Sequence, residues 1–491
     1  MRRIAGKSIA LLTISAFVLA SCGGGGGGGG GAPPVTVTPT PTPTPTPTAS
    51  CGLSARQDFA KAVIDEWYLF PGDVATGVNK ASHSGVQSYI DALVAPARAA
   101  NKDRFFTYIT SIAEENAFFS SGASAGFGVR LTYNPSTQRV VIAEAYESAP
   151  AFAAGIDRGT QITAIGTSAA NLRSIGDIVA ASGTGGITDA LGPSTVGTTR
   201  VLRILDANGS NQRDVTVTKA DFEIDPISDR YGAKIITEGG KNYGYINLRT
   251  FISSANPQLR AAFLNFRNQG VTDIVIDFRY NGGGLVSTAE LMGDLLGRNR
   301  NASELFSRTD FRPSKAAEND RHFFTSQPES IAPTRIAFIG TGSTASASEL
   351  VINGMLPYLG SSMTLVGSNT FGKPVGQIAL DKAECDDRMR VIAFATGNAS
   401  GASDYFTGLA PKIANSCAAA DNLSVQLGDP NEASLRSAID FLAGRSCGAR
   451  ITSANSRVAS AERIAPGLAP APAMLESETP SAAQREMPGL F

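Results

Sequence analysis

The chain is 491 residues long and carries 42 basic and 43 acidic side chains, which gives a formal net charge of −1. This balance lacks the basic excess of nucleic-acid-binding domains, so no nucleic-acid partner is expected. About 400 residues follow the N-terminal low-complexity region, enough for two or three domains. The cysteine spacing fits no zinc pattern, and the sequence implies no metal and no organic cofactor.

The N-terminus has the features of a secretory signal. Arg2, Arg3 and Lys7 precede the apolar run Ile9–Ala20, which is too short to span a membrane. The following Ser-Cys22 completes a sequence that resembles a bacterial lipobox, and this resemblance implies that Cys22 is the acylated first residue of the mature chain. No aspartate follows Cys22, which favours the outer membrane by Gram-negative sorting logic. We therefore expect a lipid-anchored protein of the bacterial cell envelope.

A low-complexity tether follows the signal. Nine glycines, Gly23–Gly31, lead into a Pro/Thr tract that ends at Thr48. Glycine runs are flexible, whereas Pro-Thr repeats favour extended polyproline II, so the tract predicts a stiff spacer of about 50 Å. Such a spacer would hold a folded domain away from the membrane.

The remaining cysteines predict disulfides. Beyond Cys22 the chain contains Cys51, Cys385, Cys417 and Cys447, and an even number of cysteines in an exported protein suggests that they are paired. Four cysteines allow three pairings, and the sequence does not choose among them. We favour Cys385–Cys417, with Cys51 bonded to Cys447 near the two ends of the folded chain.

The first folded segment is expected to be a small helical cap. Apolar residues recur at helical spacing, as Phe59, Val63 and Trp67 do. The pattern predicts helices in three stretches: Ala55–Tyr68, Val86–Val94 and Lys102–Glu114. Trp67 is expected to anchor the core of this segment, and the alternative is that the segment forms a lid over a cleft.

A β-rich stretch with the sequence Gly-Phe127-Gly128-Val129-Arg-Leu131 comes next. Together with the later Gly155…Gly159 turn, it resembles a PDZ domain. That resemblance implies that backbone N–H groups at Phe127 and Gly128 bind a free carboxylate and that the next strand takes up a peptide by β-augmentation. A helix near Leu172–Ala181 would form the opposite wall. The expected peptide-binding residues are Phe127, Gly128, Val129, Leu131, Ile175 and Val179.

Alternating strands and helices follow, which is typical of an α/β core. Thr272–Phe278 predicts a buried strand that runs into Asn281 and the glycines Gly282–Gly284. Glycines at the end of a strand let the backbone approach a reacting carbonyl with no side chain in the way.

Further along, Arg335–Ile339 predicts a second buried strand, and a small-residue turn then leads into a helix that starts at Ser346. A serine in this position exposes its hydroxyl on a sharp turn. The free N–H groups of the helix start, of which Ala347 carries the nearest, can bind a developing oxyanion.

A hydroxyl nucleophile requires a base. The two histidines, His83 and His322, lie in polar and charged segments, and no lysine follows a serine by three residues. Lys373 is different because its neighbours are apolar residues and glycines. Burial without a carboxylate partner lowers a lysine pKa from about 10.4 towards neutrality. Gln377, four residues later, could orient the amine without charging it.

The sequence around Thr344, Ser346 and Glu349, followed by Phe-Gly-Lys373-x-x-x-Gln377, resembles the tail-specific or C-terminal processing serine peptidases of the S41 type. Where that family usually has serine two positions before the nucleophile, this chain has Thr344. The resemblance implies the following roles: Ser346 as nucleophile, Lys373 as base, Gln377 as its orienting residue, and Gly283 and Ala347 as oxyanion donors, with Gly284 in reserve.

The implied fold is a multidomain α/β protein. A crotonase-like ββα spiral would form the catalytic core, preceded by the PDZ domain and the helical cap. The expected segments are a signal peptide (1–21), a tether (22–50), a helical segment (51–118), a PDZ domain (119–225), a peptidase core (226–447) and a disordered tail (448–491).

The tail ends in Gly-Leu-Phe491, and an apolar C-terminus is what a PDZ groove binds. We therefore expect the tail to occupy the groove of its own chain or of another copy.

The expected function is that of a lipid-anchored serine endopeptidase that cleaves unfolded or C-terminal segments of proteins. Two other interpretations remain open at this stage. One is a peptide-binding lipoprotein of the same fold that has no proteolytic activity. The other is a hydrolase of small esters that pairs a serine with His83 or His322.

Overall fold

A computed structural model of the chain describes residues 49–452 and 473–491. The predicted signal, the lipidation site at Cys22 and nearly all of the tether lie outside these residues. No helix in the described ranges has the length and apolar character needed to cross a membrane.

The described residues form a mixed α/β structure. The helices are α1 (Leu53–Trp67), α2 (Val86–Leu93), α3 (Ala95–Ala99), α4 (Ile112–Ser121), α5 (Pro150–Ala153), α6 (Ile175–Ser182), α7 (Gly185–Leu191), α8 (Ala255–Asn268), α9 (Val286–Leu296), α10 (Ala347–Leu359), α11 (Ala433–Leu442) and α12 (Ala482–Glu486). The strands are β1 (Tyr108–Ser111), β2 (Ala123–Gly126), β3 (Val129–Asn134), β4 (Arg139–Ala145), β5 (Gln161–Gly166), β6 (Arg173–Ser174), β7 (Thr199–Leu205), β8 (Arg213–Thr218), β9 (Ala220–Glu223), β10 (Ala233–Glu238), β11 (Lys241–Asn247), β12 (Asp273–Asp277), β13 (Leu305–Phe311), β14 (Asp320–Phe323), β15 (Arg335–Gly340), β16 (Met363–Gly367), β17 (Val375–Lys382), β18 (Asp387–Gly397), β19 (Asn415–Ala418) and β20 (Ala473–Met474).

The core is built on a six-stranded sheet in the order β10-β11-β12-β15-β16-β19, parallel from β11 onwards. Alternate residues of its strands face opposite sides. Ile274 and Phe338 pack with α8, α9 and α10, whereas Val275 and Ile339 pack with α11. Because helices cover both faces, every residue of β12 is buried, which explains the nearly continuous apolar runs in the sequence.

This sheet brings the two candidate catalytic turns together. β12 and β15 are parallel neighbours with Asp277 opposite Ile339, so the loops that follow them leave the same edge of the sheet. The N–H of Ala345, next to Ser346, donates to the carbonyl of Asn281 at 3.0 Å. The glycine loop and the serine turn are therefore in direct contact.

A second sheet contains β1, β18, β13 and β14, and β17 pairs along β18. Its β1 comes from the N-terminal segment, where Lys102–Glu114 was expected to be helical. That expectation is wrong, because Tyr108–Ser111 supplies an edge strand opposite Asp387–Arg390 and α4 starts only at Ile112. Trp67 packs at the edge of the apolar cluster formed by this segment and the second sheet.

Residues 123–223 form a β-rich module whose strands β3, β4, β5, β7 and β8 make one sheet. Its outer edge at β3 is paired with β20, which comes from the far end of the chain. The expectation of a disordered tail is therefore wrong for residues 473–491, whose apolar side chains Leu475, Met487 and Leu490 are buried. The rest of the expected tail between them and Thr452 lies outside the described residues.

The disulfides join Cys51 to Cys385 and Cys417 to Cys447, with Cα–Cα distances of 5.4 and 5.7 Å. The pairing favoured from the sequence is therefore wrong. Cys385 lies in the turn between β17 and β18, beside the start of α1, and the nearby ion pair Arg56–Asp387 fixes the same junction. The second bond joins β19 to the chain that follows α11.

The two disulfides should differ in their effect on stability. Cross-linking a longer loop removes more entropy from the unfolded chain, about 6 kcal/mol for the separation of 334 residues and about 4 kcal/mol for that of 30. We expect the double variant Cys51→Ser/Cys385→Ser to lose more thermal stability than Cys417→Ser/Cys447→Ser, as measured by calorimetry. Mass spectrometry of a non-reduced digest should recover both pairs, and a Cys385–Cys417 peptide would contradict the structure.

Candidate active site

Ser346 lies in the turn between β15 and α10, as the N-cap of that helix. Its φ is +54°, a backbone conformation that is unfavourable for a non-glycine residue and is concentrated at functional turns. The turn is fixed by Thr344, whose hydroxyl donates to the carbonyl of Phe278 at 2.8 Å. Threonine, in place of the serine usual in the family motif, therefore bonds the turn to the end of β12.

Lys373 lies just before β17 and is 8% exposed. Its Nζ donates to Oε1 of Gln377 at 3.1 Å and lies 4.6 Å from the ring centre of Phe106. Burial lowers the pKa of Lys373 below its ordinary 10.5, and the carboxylate of Glu486 partly opposes this change. Its surroundings thus shift the amine towards its neutral form.

Gln377 is itself held in place by a contact with the N-terminal segment. Its Nε2 donates to the carbonyl of Phe106, so its Oε1 is turned towards the amine of Lys373. Arg104 donates to the carbonyls of Phe371 and Gly372, directly before the lysine. The N-terminal segment therefore covers the amine, although neither Phe106 nor Arg104 has a local sequence signal for such a role.

Glu349, in the first turn of α10, is a further important residue that the sequence analysis did not single out. Its fully buried carboxylate accepts hydrogen bonds from the backbone N–H groups of Ser346, Gly372 and Lys373 at 3.1, 2.7 and 2.7 Å. The hydroxyl of Thr370 adds a fourth bond at 2.6 Å. Burial raises the pKa of Glu349. One side chain thus joins the serine turn to the lysine loop.

The hydroxyl of Ser346 and the amine of Lys373 make no direct hydrogen bond within the described part of the chain. Their backbones are nevertheless adjacent, because the same oxygen of Glu349 accepts from both N–H groups. Proton transfer therefore requires a closer approach of the two side chains, as catalytic hydrogen bonds often tighten only when substrate is bound.

The two expected oxyanion donors lie next to each other. A Cβ placed on Gly283 would lie 2.7 Å from the Cβ of Ser346 and 3.1 Å from the nitrogen of Ala347, so only glycine fits there. The N–H of Gly283 donates to Oδ1 of Asn281 at 2.9 Å. By contrast, the N–H groups of Ala347 and Gly284 donate to no other described residue. In this structure the N–H of Gly283 is thus bonded to Asn281 and does not point freely towards an oxyanion.

The residues expected to bind peptide lie along β3 and hold the C-terminus of the chain itself. The N–H groups of Gly128 and Val129 donate to the oxygen of Phe491 at 2.8 and 3.2 Å. The expected donor pair, Phe127 and Gly128, is thus wrong by one residue. Phe127, Val129, Leu131 and Ile175 belong to the apolar cluster that contains Phe491, and Val179 packs at its edge.

The histidines take part in other contacts. His322 bonds through Nε2 to Oδ1 of Asp294 at 3.1 Å, and the ring of His83 packs against Tyr89. No contact joins either ring to Ser346 in the described ranges, so this structure brings no serine–histidine pair together.

Residues 242–414 match the family model described as peptidase family S41. The match covers about a third of the chain, a stretch that we call the S41 region. The S41 region includes Ser346, Lys373, Gln377 and the glycine loop, whereas the β-rich module precedes it.

Curated relatives are similar over part of the chain. One is a carboxyl-terminal-processing protease from Picosynechococcus sp., 29% identical over 52% of this chain and 55% of that protein. Another is the chloroplastic C-terminal processing peptidase of Tetradesmus obliquus, 26% identical over 54% of each. The chain spans about half the length of the curated relatives it matches. A crystal structure of a Bacteroides fragilis protein assigned to the S41 proteases has the same fold, with a TM-score of 0.61 at 22% identity over 79% of this chain and 97% of that one.

The shielding of Lys373 by Phe106 should affect the pH dependence of activity. If neutral Lys373 is the base, kcat/KM should rise with pH through a pKa below 10.5. Phe106→Ala admits water to the amine. A cation–π contact is lost as well, but desolvation by burial is the largest influence on this pKa, so the pKa should rise.

We therefore expect the acid limb of the Phe106→Ala profile to move to higher pH. Phe105→Ala is the matched control, because Phe105 is 66% exposed and its ring contacts Arg98 instead. Its profile should coincide with that of the unsubstituted protein. An unchanged or lower apparent pKa for Phe106→Ala would show that the Phe106 ring does not shield the amine of Lys373 from water. The measurement is hydrolysis of an unfolded protein across pH.

Proposed function

We propose that this chain is a lipid-anchored, extracytoplasmic serine endopeptidase that cleaves unfolded or C-terminal segments of proteins. The observation that carries the proposal is the buried amine of Lys373, which lies under Phe106 and is hydrogen-bonded to the neutral side chain of Gln377. Burial of an amine is costly, and a neutral hydrogen-bond partner such as Gln377 leaves the amine free to act as a base.

In this mechanism the hydroxyl of Ser346 attacks the scissile carbonyl while Lys373 accepts its proton. The C–N bond then breaks as the lysine returns the proton to the leaving amine, and an ester remains on Ser346. Water attacks this ester with the same lysine as base, which releases the new carboxyl end and restores the hydroxyl. The N–H of Ala347 and that of Gly283 or Gly284 would stabilise the oxyanion.

Substrate capture is assigned to residues 119–225 as a PDZ domain. The support is the edge of β3, where N–H groups of Gly128 and Val129 bind the oxygen of Phe491 and residues 489–491 lie antiparallel to the strand. This is the geometry of β-augmentation. We further propose that residues 226–447 form a crotonase-like ββα spiral, which the strand–helix alternation of the core supports.

The catalytic assignment can be tested with paired variants. Ser346→Ala and Lys373→Ala should each lower hydrolysis of an unfolded protein at least ~10³-fold, because each removes an essential group. Ser343→Ala in the same turn and Lys382→Ala at the end of β17 are the controls and should retain activity. If the unsubstituted protein is itself inactive and still binds peptide, the second candidate holds.

That second candidate is a peptide-binding lipoprotein without proteolysis. It is favoured by two observations: the catalytic pair is not hydrogen-bonded, and the Gly283 donor is occupied by Asn281. A serine–histidine hydrolase would instead lose activity in the double variant His83→Ala/His322→Ala. We expect that variant to remain active.

The lipid anchor rests on the sequence around Cys22. A Cys22→Ser protein should no longer incorporate labelled fatty acid and should move from the membrane fraction to the soluble fraction, since the acyl chains on Cys22 are the proposed attachment. Recovery of the variant in washed membranes would contradict the assignment.

A further inference from the structure

The C-terminal segment of this chain is bound as a peptide at the edge of the β-rich module. Besides the two bonds to its terminal oxygen, the N–H of Phe491 donates to the carbonyl of Val129 at 2.9 Å. Two residues earlier, the carbonyl of Gly489 accepts from the N–H of Leu131 at 2.8 Å. The segment thus has the backbone register of a strand-adding ligand.

Burial of the last side chains indicates a fitted site. Phe491 is 4% exposed within the apolar cluster that contains Phe127 and Ile175. Leu490 and Met487, 2% and 0% exposed, pack in a neighbouring cluster with Phe118. Because burial of large apolar side chains is favourable, the final Leu-Phe provides much of the attachment.

The same segment also contacts the candidate active site. The N–H of Gly282 donates to the carbonyl of Glu486 at 3.2 Å, and a Cβ on Gly282 would lie 2.5 Å from that oxygen. The carboxylate of Glu486 opposes the lowering of the Lys373 pKa. The tail therefore lies against the glycine loop in a structure in which Gly283 donates to Asn281.

Arg130 connects the two contacts. Its guanidinium donates to the carbonyl of Pro488 at 2.8 Å, to Glu144 at 3.0 Å and to the carbonyl of Arg249 at 3.3 Å. Two residues after Arg249, the N–H of Phe251 donates to the carbonyl of Gly283 at 2.9 Å. A continuous set of bonds thus runs from the bound tail to the glycine loop.

We propose that residues 473–491 are a resident ligand that blocks both the peptide groove and the glycine loop, and that the C-terminus of a substrate ending in a large apolar residue displaces them. Contacts define both the groove and its occupant, and the occupant shows what the groove accepts: an extended backbone with a buried aromatic side chain. The inhibitory part of the proposal rests on the proposed peptidase function, whereas the binding part does not.

Peptide binding tests the resident ligand directly. A fluorescent peptide with the sequence of Glu486–Phe491 and a free carboxylate is titrated into Ser346→Ala protein, either full-length or lacking Pro488–Phe491. We expect at least ~10-fold tighter binding to the shortened protein, because no internal competitor remains. A peptide with a carboxamide end should bind weakly to both proteins. Equal affinity of the free-carboxylate peptide for both would overturn the proposal.

Turnover tests the inhibition. With Ser346 intact, Phe491→Asp keeps the chain length but places a charge where the ring is buried, so the tail should detach. We expect faster hydrolysis of a short reporter peptide that lacks an apolar carboxyl end, both in this variant and in the shortened protein. Thr479→Ala, at an exposed position of the tail, is the control and should behave like the unsubstituted chain. Unchanged or slower hydrolysis by Phe491→Asp, with folding verified by circular dichroism, overturns the inhibition.

The two measurements separate failure of the inference from failure of the proposed function. If no form of the protein hydrolyses the reporter, the peptidase assignment fails, and the binding titration still decides whether the tail is a resident ligand.

Discussion

The candidate site depends on a single buried carboxylate. Glu349 accepts four hydrogen bonds, three of them from backbone N–H groups on the turns that carry Ser346 and Lys373. Each turn follows a different strand of the core sheet, so without this side chain their separation would depend on loop packing alone. A buried donor that loses its partner costs about 1–3 kcal/mol, which gives both turns a strong preference for the observed arrangement.

The sequence predicts the parts of the site that are encoded locally. The strand, turn and helix around Ser346 follow from apolar runs and small residues, and the Lys373–Gln377 contact was expected from the motif that the chain shares with the C-terminal processing peptidases. Glu349 was overlooked because a glutamate three residues after an N-cap is an ordinary feature of helices. Phe106 could not be predicted, because its contact with Gln377 joins positions 271 residues apart.

The same difference between local patterns and long-range contacts explains the wrong predictions about the fold. The pairing of cysteines depends on which loops meet in space, so Cys51–Cys385 could not be chosen from spacing. The segment Tyr108–Ser111 is a strand because β18 offers it an edge, a tertiary effect that outweighs helical patterning. For the tail, low-complexity composition predicted disorder, while its final apolar residues, read separately, predicted binding. The contacts of Phe491 agree with the second expectation.

The burial of the Lys373 amine under Phe106 has a consequence for the chain before it folds. The amine belongs to the second half of the sequence, whereas the ring that covers it belongs to the first quarter. Until these distant parts dock, water reaches the amine and keeps it protonated at neutral pH, as it does any exposed lysine. If Lys373 is the base, as proposed, a chain that has not yet folded therefore lacks a usable base.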